Sequence, residues 1–203
     1  MAWAPDYITE SQFRSYAGIG TAQGTAEIAF AIGAASRAID EYTGRQFGLM
    51  GSAVPRYYTA FKVDALQAIV IDDLMTTSGL TVKINSSPGG SYDTTLTLNT
   101  DYYLGPLNAA ADGRPWTALI TRDASLPTWD GGVEVTAKWG WSEVPAQVEQ
   151  ACLVQANRFW KRKEAPFGVA GSPQQGSELR LLNRLDPDVQ ILVDPLRKVW
   201  GVK

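Results

Sequence analysis

Apolar residues recur at a helical period in two long stretches, and between them the period changes to that of strands. The clearest stretch is residues 142–163, SEVPAQVEQACLVQANRFWKRK, in which Val148, Ala151, Cys152, Gln155 and Phe159 share one stripe with Gln155 as its one polar member. Ser142 or Val144 can cap this helix, Pro145 fits a first turn where no amide partner is needed, and Glu143 and Glu149 suit the positive end of the dipole. A second stripe, Ile28, Ile32, Ala35, Ile39 and Tyr42, predicts a helix over residues 25–43, capped by Thr25 and stopped by Gly44. The alanines between those positions let another helix approach closely, so the two long helices are expected to pack together. A shorter helix is predicted at residues 9–17, where Thr9 and Gln12 have capping-box spacing and Phe13, Tyr16 and Ala17 form an apolar edge.

From Val54 to Trp141 the β-branched and aromatic residues come in short runs separated by turn chemistry such as Asp72-Asp73, residues 86–90, residues 108–115 and residues 130–132. The runs predict strands at 56–61, 66–71, 80–84, 94–98, 102–104, 118–121 and 133–139. That is more than one hairpin needs, and a sandwich or partial barrel is expected. After Lys163 the chain reads APFGVAGSPQQGSE, whose closely spaced Pro and Gly break any helix and predict an extended arm. Asp186-Pro187-Asp188 then supplies an N-cap, a proline at the first helical position and an acid in the first turn of a short helix that Pro195 ends or kinks. The expected class is α+β: a small helical bundle from residues 1–53 and 142–164, an inserted antiparallel β domain over 54–141, and an extended C-terminal docking arm with a short helix over 165–203.

The length, 203 residues, is enough to bury a core without disulfides, and Cys152, the only cysteine, sits on an apolar stripe as a small core residue. The net charge of -3 points to neither a general nucleic-acid binder nor a strongly acidic chain. Its distribution is uneven: residues 1–149 carry 9 basic and 16 acidic side chains, whereas residues 150–203 carry 9 and 5. A basic tail on an acidic body has the composition of a docking arm, or simply of a solvated tail. The N-terminus has neither a charged nor an apolar leader region, and the longest apolar run, residues 28–35, is too short to span a bilayer, so a cytoplasmic site of synthesis without membrane association is expected.

Candidate chemistry is sparse. With no histidine and one cysteine, the usual general base, triad partner and thiolate metal ligands are missing. Gly18, Gly20 and Gly24 approximate a dinucleotide fingerprint, but the last spacing is one residue too long and the motif follows a helix rather than a strand. Asp72, Asp73, Asp93 and Asp101 could converge as an acid/base or Mg²⁺ pair, although all four sit at turns where aspartate bonds its own backbone. The seven tryptophans raise a carbohydrate-binding or adhesion β module as the alternative function, with Trp139 and Trp141 on one strand face and Trp116 and Trp129 in loops; burial in a small β core is the plainer reading. Arg158, Lys161, Arg162 and Lys163 gather in the last turn of the long helix, as contacts to DNA phosphates or a partner, or as a solvated complement to the dipole.

Three segments, AIGAASRAIDEYTGRQF (31–47), VEVTAKWGWSEVPAQVEQACLVQANRFWKRKEAPFGVAG (133–171) and LDPDVQILVDPLRKVWGV (185–202), resemble in that order the head-tail connector, or adaptor, proteins of long-tailed bacteriophages. The most specific parts are the helix ending in TGR-x-F, the W-G-W-x-x-V-P lead-in to the long helix and the DPDV tail. The resemblance implies a helical bundle elaborated by a β insertion and arranged as a ring, of twelve copies, beneath the portal. It implies a virion protein of the neck, assembled in the host bacterial cytoplasm, without catalysis or cofactor. Its partners would be the portal protein, neighbouring copies, a downstream neck, stopper or tail protein, and genomic DNA sliding through the lumen without sequence-specific binding. At -3 per copy such a ring is acidic overall, which disfavours DNA sticking to it. Arg180, Arg184, Val189, Leu192, Leu196, Arg197 and Trp200 are the expected portal-docking residues, on an arm that is free until it meets its partner. On that expectation, trimming the tail leaves the melting temperature of the free chain nearly unchanged.

Overall fold

In a computed structural model the structure describes residues 3–20, 24–63, 66–121, 125–162 and 185–198, together with the two short strands Val169–Ala170 and Leu179–Arg180. The fold is α+β, and the chain divides into two units. One takes the described residues up to Phe47 and from Val144 onward; the other is Gly48–Glu143.

The first unit is helical: α1 (Glu10–Ala17), α2 (Thr25–Thr43), α3 (Ala146–Lys161) and α4 (Pro187–Val193), the last continued by a 3₁₀ turn, Asp194–Leu196. The capping box forms as expected, with the Gln12 amide donating to Thr9 Oγ1 and the Thr9 amide donating to Gln12 Oε1. Gly18 and Gly44 end α1 and α2 at φ 66 and 65, a left-handed backbone that glycine adopts without strain. Thr25 is the first helical residue rather than the cap; that position falls to Gly24 at φ 60. Likewise neither Ser142 nor Val144 caps α3, which starts at Ala146 behind an extended Pro145.

α2 packs along α3 through the two stripes read from the sequence, with Ile28, Ile39, Ala151 and Cys152 all 0 % exposed. Ser36 donates to the Ile32 carbonyl and lies 3.5 Å from Cys152 Sγ, so one helix–helix contact is a small polar pair rather than a methyl pair. Burial pushes the Cys152 thiol up to about 11, which keeps it protonated and a poor nucleophile. Tyr7 ties the N-terminal segment to this bundle. Its hydroxyl donates to Asp40 and accepts from the Phe47 amide at 3.1 Å, and its amide donates to Ser36 Oγ. Burial raises the Tyr7 phenol well above its ordinary range, and burial also raises Asp40 despite its hydrogen bond from Tyr7 and the nearby Arg37. Replacing Tyr7 by Phe leaves the buried Phe47 amide without its acceptor and takes one donor from Asp40, which keeps Arg37, and should lower the unfolding free energy by about 2 kcal/mol in urea denaturation. A change near zero would show that water reaches Asp40 and Phe47.

The second unit is two four-stranded antiparallel sheets. The first has the order β1-β8-β4-β5, from Val54–Tyr58, Val133–Ala137, Thr81–Asn85 and Tyr92–Leu96. The second has the order β2-β3-β7-β6, from Phe61–Val63, Leu66–Leu74, Trp116–Thr121 and Tyr102–Gly105. Their inner faces share one cluster that includes Ile69, Ile71 and Leu119 from the second sheet and Val82, Val133 and Val135 from the first. Alternation sets those faces, as in β8, whose burial runs buried, half-buried, buried, half-buried, buried. The run expected at 56–61 is broken into β1 and β2, and β3 runs three residues beyond its expected end through an irregularity after Val70.

Candidate functional site

The C-terminal helix is where the sequence placed docking residues, and its local chemistry is clear. Asp186 caps α4, accepting from the Asp188 amide at 3.0 Å, with Pro187 at the first helical position. Asp186 also holds Arg158 of α3 at 3.2 Å, while its own amide donates to Gln155 Oε1, which explains the polar member of the α3 stripe. At the other end, Arg45 Nε donates to the Leu196 carbonyl at 2.7 Å, Tyr42 donates to Asp194 at 2.6 Å, and the Lys198 amide donates to the Thr43 carbonyl. The hydrogen bond to Asp194 raises the Tyr42 phenol.

Between these anchors Val189 and Val193 are 0 % exposed and Leu196 is 3 % exposed. Residues 185–198 are therefore part of the helical core in the single chain. This differs from the expected arm that is free until it meets a partner. These side chains complete a core whose other wall is α3, against which α4 packs. Leu192 is half-buried, Ile191 is exposed, and Arg197 is exposed with its guanidinium 5.0 Å from the centre of the Tyr42 ring. Arg180 belongs to the two-residue strand that pairs with Val169–Ala170. Arg184 and Trp200 lie outside the described residues, as does Lys163.

The basic cluster at the end of α3 does not act as one patch. Arg158 is turned to Asp186, Lys161 is exposed, and Arg162 lies 5.8 Å from the Phe159 ring. Arg162 and Arg197 instead both line a cavity of about 460 Å³ whose walls include Glu41, Tyr42, Gln155, Phe159 and Leu185. That Arg162 and Arg197 line one cavity was invisible in the sequence, since it depends on α4 packing on α3.

The carboxylates considered for chemistry are engaged in structural bonds. Asp72 accepts from Arg56 at 2.6 Å and from Tyr58, Asp73 accepts from the Trp141 indole at 2.9 Å, and Asp101 accepts from the Thr97 amide at 2.6 Å. Asp93 accepts from Ser86 and Thr94, and those hydrogen bonds lower its carboxyl. Among the described residues no three His, Cys, Asp or Glu side chains gather as metal ligands. Trp139 and Trp141 are buried, and Trp129 donates its indole N–H to Asn85 at 2.7 Å. Gly18 and Gly24, from the glycine-rich stretch, are a helix C-cap and a helix N-cap. Among the described residues no helix is long and apolar enough to cross a membrane.

No protein-family model matches the chain, and no curated protein matches it. Among solved structures, the chain is similar in fold to a chain of the virion of a native gene transfer agent particle, with a TM-score of 0.58 and 22% identity. The likeness covers 100% of this chain and 95% of that one. It therefore includes both the helical and the β unit.

Proposed function

We propose that this protein is a structural, non-enzymatic virion component: a head-tail connector subunit that forms a ring on the portal, continues the DNA channel and offers a platform to the next neck or tail protein. The observation that carries this reading is the end-to-end likeness in fold to a virion chain, which extends through the β insertion as well as the bundle. The ordered motifs at 31–47, 133–171 and 185–202 support the same reading independently. Docking on the portal then falls to the outward side of α4 and to its end, where Ile191 is 71% exposed and Arg197 reaches solvent, because Val189 and Leu196 are committed to the core. Arg180, Arg184 and Trp200 are further portal-docking residues in this proposal.

Among the described residues the exposed large apolar side chains are few and split between the two units, which is not the broad hydrophobic interface of an obligate oligomer. Light scattering on the purified protein should therefore give a monomer or a weak oligomer at micromolar concentration, and a stable ring without portal would contradict this. Labelling of particles with an antibody against the chain tests its place: the proposal expects label at the neck, and label confined to fibres or the capsid shell would exclude it.

A further inference from the structure

A cavity of about 410 Å³ in the β unit is lined by Lys62 and Gln67 of the second sheet, by Asn85 and Ser86 at the end of β4 in the first, and by the loop that carries Thr128 and Trp129. Its volume falls in the range of small-ligand sites, roughly 300–1,000 Å³. The loop is pinned from the sheets. Gln67 Nε2 donates to the Leu126 carbonyl at 3.0 Å and its Oε1 accepts from the Leu126 amide at 2.6 Å, so one side chain holds both backbone groups. Gly132 makes room for the rest, since a Cβ there would come within 2.7 Å of Pro127 Cβ and 3.2 Å of the Trp129 indole nitrogen. The walls are therefore set before any ligand arrives.

Asn85 is the lining residue that the fold leaves incomplete. It is 5% exposed, and its Oδ1 accepts from the Trp129 indole at 2.7 Å. An indole N–H can only donate, so this bond fixes which way the amide is turned and leaves the Nδ2 donors on the other branch. Nδ2 has no hydrogen-bond partner among the described residues, whereas buried polar groups are bonded in nearly every case.

We infer that this cavity binds a neutral saccharide, with one pyranose unit seated against Trp129 and a ring hydroxyl accepting from Asn85 Nδ2. The lining offers both donors and acceptors. Lys62 is exposed and makes no ion pair among the described residues, Thr128 brings a hydroxyl, and Ser86 donates its own proton to Asp93 at 2.9 Å, so that its oxygen meets a ligand as an acceptor. A sugar hydroxyl donates and accepts, and matches that set. A carboxylate or phosphate only accepts, and would stand near the Asp93 carboxylate behind Ser86. Nucleic acid is disfavoured further, because residues 48–143 carry 6 basic and 10 acidic side chains and cannot neutralise a phosphate backbone. Trp129 is half-buried with its N–H engaged, and its ring supplies the apolar surface that the C–H side of a pyranose packs on. The site stands on the β unit alone and is independent of the portal reading.

Saturation-transfer NMR on the full-length chain tests it. The neutral probes are D-glucose, D-galactose, D-mannose and N-acetyl-D-glucosamine, and the charged ones are glucuronic acid and adenosine monophosphate, each at millimolar concentration. At least one neutral sugar should receive transfer, and Asn85→Asp, which puts an acceptor in place of the free donor, should weaken its binding about tenfold. Ser125→Phe, at an exposed position on the rim, should abolish binding without touching the core, and decides the matter if Asn85→Asp does not fold. Tyr57→Ser removes the exposed ring that stacks on Tyr92, the rival aromatic surface, and should leave binding unchanged. No transfer to any neutral sugar, transfer to the charged probes alone, transfer that survives Ser125→Phe, or its loss in Tyr57→Ser overturns the inference.

Discussion

Deleting residues 185–203 should lower the unfolding free energy of the helical unit by about 5 kcal/mol. Val189, Val193 and Leu196 are buried, and each such side chain contributes roughly 1.5–3 kcal/mol when removed from water. The deletion also strips Arg158 of Asp186 and leaves the Thr43 carbonyl without the Lys198 amide. A loss of that size is comparable to the whole stability of an ordinary domain, about 5–15 kcal/mol, so the truncated chain should be partly unfolded at room temperature. Urea denaturation followed by helical circular dichroism measures it. A midpoint equal to that of the full chain would mean that α4 does not dock and the tail is free, as its composition alone suggests. Val189→Asp gives a finer version, because it buries a charge in the same place without shortening the chain.

Trp139→Ala should cost about 3–5 kcal/mol, the range for removing a buried indole from a packed core. Trp139 is 1% exposed, its N–H donates to the Val54 carbonyl at 2.8 Å, Arg56 lies 4.9 Å from its ring, and it belongs to the cluster shared by both sheets. The loss therefore falls on the β unit. If that unit folds around its own core, near-ultraviolet ellipticity should melt at much lower denaturant while helical ellipticity stays. Simultaneous loss of both signals would show one cooperative structure, and excision of residues 54–141 with a short linker should then also abolish the helices.

The helices were legible because each signals itself locally: a 3.6-residue stripe in α2 and α3, a capping box in α1, and Asp-Pro-Asp in α4. Strand existence was legible too, since β-branched runs between turns mark it. Sheet order was not, because β1 pairs with β8 and β3 with β7 across long stretches of sequence, and single-strand patterns carry no partner information. The same reason hid the site. That Arg158 meets Asp186, that Arg45 reaches the Leu196 carbonyl, and that Arg162 and Arg197 share a cavity follow from α4 packing on α3. Taken by themselves, the few apolar residues of the tail predict a partner-dependent arm; that they complete a core follows only from α4 packing on α3.

The most direct test of the account is electron microscopy of the purified chain mixed with a purified bacteriophage portal protein. The account predicts a closed ring of copies seated on one end of the portal, coaxial with its channel, with the α4 surface against the portal and the channel left open. Portal particles that remain bare at saturating chain, while the same chain is folded by circular dichroism, would contradict it.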